Sequence, residues 1–119
     1  MRRSHRELRA WQEAIALVEV TYRLTAAFPR DEQFGLVSQM RRAATSVPAN
    51  IAEGAARSGT RELLHFLSIA TGSLSELDTH LEVAKRLGLL RDSQDVQNKI
   101  DQVSALILAL AKSLKAKKM

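Results

Sequence analysis

Residues 34–57, FGLVSQMRRAATSVPANIAEGAAR, constrain the fold of this chain more than any other stretch. Wound at about 100° per residue, they place an apolar stripe on one side of a helix and a continuous polar stripe on the other. The apolar stripe contains Val37, Met40, Ala44, Val47 and Ile51. The polar stripe contains Gln39, Arg42, Ser46, Asn50, Glu53 and Arg57. The pattern predicts one helix that turns its apolar stripe towards a core.

Pro48 lies in the middle of this stretch. A proline inside a helix removes one backbone donor and crowds the carbonyl four residues earlier, which costs about 3 kcal/mol. Both stripes nevertheless keep their phase through it. This favours a helix kinked at Pro48, with the hydroxyls of Thr45 and Ser46 available to satisfy freed carbonyls. The alternative is a break at Ser46, because a proline disfavours helical geometry just before it.

The length and composition narrow the class of protein. With 119 residues, the chain is expected to form one domain spanning residues 1–119. It has no cysteine, which excludes disulfides and thiolate metal sites. No apolar run approaches the roughly 18 residues of a membrane span, and the N-terminus lacks the apolar core of a signal peptide. We therefore expect a soluble cytoplasmic protein.

Apolar periodicity and capping residues predict four helices, at about residues 4–27, 32–57, 60–87 and 93–115. Ser4 and Glu7 form a capping-box pattern, Asp31 is placed to cap the second helix, and Gly88 suits the end of the third. Asp92 or Ser93 is placed to cap the fourth helix. Because the connections are short, neighbouring helices run antiparallel, which predicts an all-α, up-down-up-down four-helix bundle.

The first predicted helix carries two apolar stripes on nearly opposite sides. The first stripe contains Leu8, Trp11, Ile15, Val18, Tyr22 and Thr25. The second stripe contains Ala10, Ala14, Leu17, Leu24 and Phe28. A helix with two apolar faces must bury both, so we expect one to pack inside the subunit and the other against a second subunit. The second stripe is assigned to the oligomer interface, and Trp11 of the first stripe to the core.

No constellation for catalysis or metal binding is complete. Glu62 and His65 have the Glu-x-x-His spacing of di-iron bundles, but those proteins need two such motifs and two further glutamates, so we predict no metal and no cofactor. His80 follows Glu76 by four residues, which is the spacing of a helix-surface pair. Ser46 has no histidine within a turn to act as its base. We therefore predict a protein that is not an enzyme.

The polar residues within the proline-containing helix form a candidate structural motif. Its members are Ser46, Pro48, Asn50, Glu53 and Gly54. Asn50 and Glu53 fit two interpretations. They are either interhelical polar contacts that fix packing or assembly, or part of a ligand-binding face.

The segment QMRRAATSVPANIAEGAAR resembles the four-helix-bundle proteins encoded in intervening sequences of bacterial 23S ribosomal RNA genes. The likeness runs from about Leu8 to Leu90, and helix four matches only in character. Its specific part is Ser46 to Gly54, together with Gly72-Ser73-Leu74 and Glu76-Leu77. The resemblance implies a ring-like homopentamer. The chain is also distantly similar to accessory proteins of diversity-generating retroelements, which associate with a reverse transcriptase and RNA.

Basic residues concentrate at the two ends of the chain. Residues 1–9 have a net charge of +3 and residues 112–118 contain four lysines, whereas the whole chain is +5. In an up-down-up-down bundle both ends and the turn between helices two and three lie at one pole. The candidate nucleic-acid-binding residues there are Arg2, Arg3, Arg6, Arg9, Arg57, Arg61, Lys112, Lys115, Lys117 and Lys118. We therefore expect a non-enzymatic homo-oligomer that binds nucleic acid, most simply RNA, through this pole. The alternative is a protein-protein scaffold with no nucleic-acid ligand.

Overall fold

The computed structural model describes residues 5–118, and within them the chain contains four α-helices and no strand. The helices are α1, Arg9–Ala26; α2, Leu36–Ala56; α3, Thr60–Arg86; and α4, Gln94–Lys118. Short 3-10 turns at His5–Glu7 and Arg30–Glu32 precede α1 and α2. The all-α prediction is confirmed.

The helices form an elongated four-helix bundle of 48 × 23 × 19 Å. α1 packs against α2 and α4, and α3 packs against the same two helices, so that α1 and α3 lie across one diagonal. The most extensive packing joins α2 to α3. Arg41 near the start of α2 bonds to Thr25 near the end of α1, as an antiparallel pair requires. The up-down-up-down arrangement is thus the observed one.

The predicted apolar stripe of α2 forms the core together with regularly spaced apolar residues of α3 and α4. In α2 the buried side chains include Val37, Met40, Ala44, Val47 and Ile51. In α3 they include Leu67, Ala70, Leu74, Leu77, Leu81 and Ala84. In α4 they include Val96, Ile100, Val103 and Ile107. In each of these three helices, the apolar residues at regular helical spacing are the buried ones.

The helix α2 is continuous through Pro48, which is buried inside it, so the single-helix prediction is confirmed. The prediction for the neighbouring hydroxyls is wrong. The Thr45 hydroxyl donates to the carbonyl of Arg41 at 3.0 Å, a turn before the Ala44 carbonyl that loses its donor to the proline. The Ser46 hydroxyl pairs with Ser73 at 2.8 Å across the α2–α3 contact.

The first two helices begin later than predicted. Leu8 is the residue before α1, and Ser4 of the expected capping box lies outside the described residues. Before α2, the carboxylate that receives the amide of Leu36 is that of Glu32, at 3.4 Å, rather than that of Asp31. In both cases a short 3-10 turn lies where the α-helix was expected to begin. The residues of these turns favour helix by composition but place no apolar side chain in the core.

The ends of α3 and the start of α4 follow the predicted capping chemistry. Gly88 has φ +73°, and the amide of Leu89 donates to the carbonyl of Ala84 at 3.0 Å, which closes the last turn of α3. Asp92 then accepts the amide of Gln94 at 2.9 Å. The tight turn places α4 against α3 and reverses its direction.

The assignment of the two α1 stripes is wrong for most residues of the second stripe. Ala10, Ala14 and Leu17 are at most 4% exposed and Phe28 is 8% exposed, so they belong to the core of the subunit and are not available to a second one. Leu24 is half-buried against the same core. Alanines at the contact let α1 approach its neighbours closely, which is the physical reason for this choice.

The first stripe instead lies towards the surface. Ile15 is 38% exposed and Tyr22 is 41% exposed, whereas Trp11 and Val18 are half-buried. Only Thr25, at the end of this stripe, is buried. Of the larger apolar side chains in this stripe, the isolated subunit leaves Ile15 and Tyr22 uncovered, whereas Trp11 and Val18 pack against its core, as expected for Trp11.

Candidate nucleic-acid interface

The antiparallel bundle gathers the described basic residues of the prediction at one end, which we call the basic pole. The turn at His5–Glu7 packs against α2, so the start of α1 lies beside the end of α2. Arg23 and Leu24 line a surface cleft with Asp95, which shows that the start of α4 lies at the far end of α1. The end of α4 therefore returns to the basic pole.

The basic pole is formed by residues from four segments of the chain. Its exposed members in the described residues are Arg6, Arg9, Arg57, Arg61, Lys112, Lys115 and Lys117. Arg2, Arg3 and the side chain of Lys118 lie outside the described part of the chain. Cations on separate helix ends form a broad surface rather than a pocket.

Trp11 lies at this pole with two residues of the preceding turn. The Arg6 guanidinium is 5.3 Å from the centre of the indole ring, and the His5 ring lies 4.9 Å away at an interplanar angle of 58°. Gln12 bonds to the Arg6 carbonyl at 2.8 Å and holds the turn against α1. The indole is thus largely covered by the chain's own polar groups.

Arg57, at the end of α2, is the most constrained cation of the pole. It pairs with Glu53 at 2.7 Å and lies 5.0 Å from the centre of the Phe66 ring. His65 meets the same ring edge-on, with ring centres 5.3 Å apart. These contacts hold the α2–α3 turn in place and reduce the charge that Arg57 presents to a ligand.

Ser46, Asn50 and Ser73 form a half-buried network between α2 and α3. The Asn50 amide donates to the Ser46 hydroxyl at 2.9 Å and to the Ser46 carbonyl at 2.8 Å. The Ser46 hydroxyl also contacts Ser73, as described above. Both hydrogen bonds of Asn50 therefore lie within α2, and Asn50 takes part in the interhelical contact only through the Ser46 hydroxyl. Glu53 instead bonds within its own helix, to Arg57.

Gly54 allows the close approach of α2 to α3. A Cβ added at this position would lie 2.8 Å from the Phe66 Cβ and 3.0 Å from a Leu63 methyl. Such distances are shorter than carbon atoms tolerate, so a side chain here would push the two helices apart. The residues of the structural motif thus serve the α2–α3 contact in three ways, through a polar network, a local ion pair and a close approach.

The remaining candidates for chemistry lie on helix surfaces. Within residues 5–118, no three His, Asp or Glu side chains converge on a metal-sized site. His80 and Glu76 form the expected surface pair, at 3.4 Å. A hydrogen bond from Lys99 lowers the pKa of Glu13, and one from Arg86 lowers the pKa of Glu82. Each of these carboxylates is held by an ion pair, in one case between α1 and α4.

The family comparison matches this bundle over most of its length. The sequence model of the 23S rRNA-intervening sequence protein family matches residues 6–109. The chain belongs to that family. The match begins within the basic pole at Arg6 and ends before Lys112, so the lysine-rich end of α4 lies outside it. The search of curated proteins gives no match. Within residues 5–118, no helix combines the length and apolarity needed to cross a membrane.

For this family member, the sequence prediction missed a second group of surface residues at the α1–α2 connection. Phe34 is 90% exposed and lines a shallow cleft with Tyr22, Arg41 and Arg42. The Arg41 guanidinium lies 4.3 Å from the centre of the Tyr22 ring, and its Nε donates to Thr25 at 2.9 Å. The sequence signal that could have revealed this group is Phe34 itself. It stands beside Gly35 and before α2 begins, where its side chain cannot reach the core.

Proposed function

We propose that this protein is a non-enzymatic, homo-oligomeric RNA-binding accessory protein whose basic pole contacts the phosphate backbone. The observation that carries the proposal is the gathering of exposed arginines and lysines from four chain segments at one end of the bundle. Several cations that lie side by side on a convex surface attract a polyanion and release its counterions.

The surroundings of the aromatic rings favour contact with phosphates over contact with bases. Arg6 and His5 lie against the Trp11 ring. Arg57 and His65 lie against the Phe66 ring. Proteins that hold single-stranded nucleic acid by stacking need ring faces open to the bases. Binding by this pole is therefore expected to tolerate many sequences and to weaken steeply as salt rises.

Assembly into a homo-oligomer would multiply these contacts. The first stripe of α1 and the exposed Phe34 leave apolar surface that an isolated subunit does not cover. A ring with its axis along the helices repeats the basic pole at one end, so several weak sites act together on one RNA strand. In the pentamer implied by the family resemblance, such an arrangement would repeat the pole five times.

Salt-dependent binding of RNA by charge-matched variants tests the proposal. The pole variant carries Lys112→Gln, Lys115→Gln and Lys117→Gln. The control carries Arg23→Gln, Arg30→Gln and Arg91→Gln, which remove the same charge from exposed positions at the opposite pole. Affinity for a labelled single-stranded RNA of mixed sequence is measured by fluorescence anisotropy across a salt series.

The pole variant should bind several-fold more weakly, and its slope of log affinity against log salt should fall by about 0.7 for each phosphate that it no longer neutralises. The control variant should stay close to the unmodified protein. Equal effects of the two variants, or no binding by the unmodified protein at low salt, would overturn the RNA-binding proposal. The exposed apolar faces would then favour the protein-protein scaffold as the function.

A further inference from the structure

Six of the seven large apolar side chains that the described residues expose lie on two separate faces, and the seventh is Leu108 on α4, which is 63% exposed. The first, which we call the α1/α2 face, contains Ile15, Tyr22 and Phe34, which are 38%, 41% and 90% exposed. The second, the α2/α3 face, contains Ile69, Val83 and Leu87, which are 39%, 41% and 62% exposed. Single exposed apolar residues need no explanation, but two groups along neighbouring helices call for a partner.

Both faces adjoin α2. The α1/α2 face lies on the side of α1 where Tyr22 contacts Arg41 of α2. On α3, Ile69 precedes Ser73 by four residues and Glu76 follows it by three, so both lie on the flank whose Ser73 contacts Ser46 of α2. Since α1 and α3 are diagonal neighbours, the two faces lie on adjacent sides of the bundle with α2 at the corner between them.

The two faces differ in charge. The α1/α2 face carries Arg41 and Arg42, and in the described residues neither forms an ion pair with a carboxylate. It also carries one exposed carboxylate, Glu19, four residues after Ile15, so the face is net cationic. The α2/α3 face carries Glu76, whose side chain is 58% exposed and contacts only His80, by a long 3.4 Å bond. A cationic apolar face and an anionic apolar face on one chain complement each other in a second copy.

The charged and apolar residues of the two faces also follow the same order along the bundle axis. Ser46 lies beside Ser73, and α2 and α3 are antiparallel, so Arg42 lies at the height of α3 residues near Glu76. Phe34, two turns further back, lies at the height of Val83 and Leu87.

Ile15 and Ile69 extend this matching order along the bundle axis towards the basic pole. Tyr22 lies beside Arg41, and seven residues of helix bring the chain from Tyr22 to Ile15, about 10 Å towards the basic pole. The same step along α3 leads from Glu76 to Ile69. Each face therefore presents three features at matching heights along the bundle axis: an isoleucine, a charged side chain and a further apolar group.

We propose that the α1/α2 face of one protomer docks onto the α2/α3 face of the next, without axial shift, and that Arg42 pairs with Glu76 of the neighbouring copy. This inference rests on the homo-oligomer of the proposed function and identifies its interface. Contacts between two different faces propagate in one direction and form a ring when the rotation between copies closes, which docking without axial shift allows. α2, at the corner between the two faces, is then the helix nearest the ring axis.

A charge swap tests the pairing. Arg42→Glu and Glu76→Arg, each alone, place like charges in every interface and should raise the dissociation constant of the oligomer at least tenfold, measured by light scattering. The double variant restores opposite charges in every interface and should recover most of the assembly. Asp101→Arg, on the exposed surface of α4 and away from both faces, is the control and should leave the mass unchanged.

Cysteine cross-linking tests the geometry, because the chain has no native cysteine. The chain with both Ile15→Cys and Ile69→Cys, treated with a short bismaleimide, should give a ladder of covalent multimers in steps of 13.2 kDa. Each single variant should stay monomeric on a denaturing gel, since the two positions meet only each other.

The outcomes separate the inference from the proposed function. An oligomeric protein that gives no ladder, dimers from a single-cysteine variant, or no recovery in the charge-swapped double variant would overturn the interface while leaving assembly and RNA binding intact. A monomeric unmodified protein at micromolar concentration would overturn both the interface and the homo-oligomer. RNA binding by the basic pole is measured independently in either case.

Discussion

The two apolar stripes of α1 have opposite roles, although both look suitable for a core. The buried stripe is rich in alanine, with Ala10, Ala14 and Leu17 almost fully covered. The stripe with the larger side chains leaves Ile15 and Tyr22 about two-fifths exposed. Small side chains allow α1 to approach its neighbours, whereas bulky ones at the same place would hold it away. Ala10 and Ala14 therefore fit at the closest contacts of α1, while the bulkier Leu17 and Phe28 of the same stripe fill the core beside them.

The largest expected effect is at the centre of the buried stripe. Leu17→Ala leaves a cavity among residues that cannot collapse around it and should lower the free energy of unfolding by about 2–5 kcal/mol. Ile15→Ala, a similar truncation on the other stripe, should cost the subunit less than about 1 kcal/mol. Chemical denaturation followed by circular dichroism, at a concentration where both variants have the same mass, compares them. Equal losses would contradict the assignment of the stripes.

A second comparison of an inward and an outward position uses two helical glycines. Gly54→Ala places a methyl group 2.8 Å from the Phe66 Cβ and should destabilise the protein by about 1–3 kcal/mol. Gly72→Ala meets no atom within 4 Å and replaces a poor helix former, so it should stabilise the subunit by up to about 1 kcal/mol. Thermal unfolding of the two variants measures both signs. A stable Gly54 variant would show that α2 and α3 are less closely packed.

The smallest expected effect is at the flank of α1 that faces α4. Lys99 bonds to Glu13 at 2.8 Å, and this bond lowers the pKa of the carboxyl from its ordinary value of 4.5. The pair therefore contributes stability above that pH, and the contribution is lost as pH falls through the lowered pKa. Glu13→Gln should cost about 0.5 kcal/mol at pH 7 and nothing once the carboxyl is protonated.

Denaturation curves at pH 7 and in acid measure this difference. Glu82→Gln is the control, because Glu82 pairs with Arg86 within its own helix and its loss breaks no contact between helices. A larger loss for Glu82→Gln than for Glu13→Gln would contradict a role for the Glu13–Lys99 pair in joining α1 to α4.

The fold class was predictable because α2, α3 and α4 each bury one regularly spaced apolar stripe, and because Gly88 and Asp92 mark the end of α3 and the start of α4. The strict spacing of leucines and alanines in α3 defined its buried side, and Gly88 marked its end. The family resemblance pointed to the same bundle. The pole was predictable in outline, since helix order alone decides which chain segments share an end.

Several features of the site were not predictable from the pattern. The commitment of Arg57 to Glu53 and Phe66, and the covering of Trp11 by Arg6 and His5, depend on which side chains meet at helix ends. The hydroxyl of Ser46 contacts another helix instead of its own backbone. Sequence spacing describes neighbours within a helix and carries little information about neighbours across two.

The sequence by itself determined that this chain forms four amphipathic helices, that α2 continues through Pro48, and that the start of α1, the α2–α3 turn and the end of α4 bring their basic residues to one pole. Apolar periodicity suffices for the helices because it is a local property of the sequence. Chain order suffices for the pole because short connections make neighbouring helices antiparallel. Only the tertiary structure decided which stripe of α1 is inside and why Gly54 has no side chain. Those choices depend on the distance between helices, which is set by the volumes of all the side chains that meet at the contact.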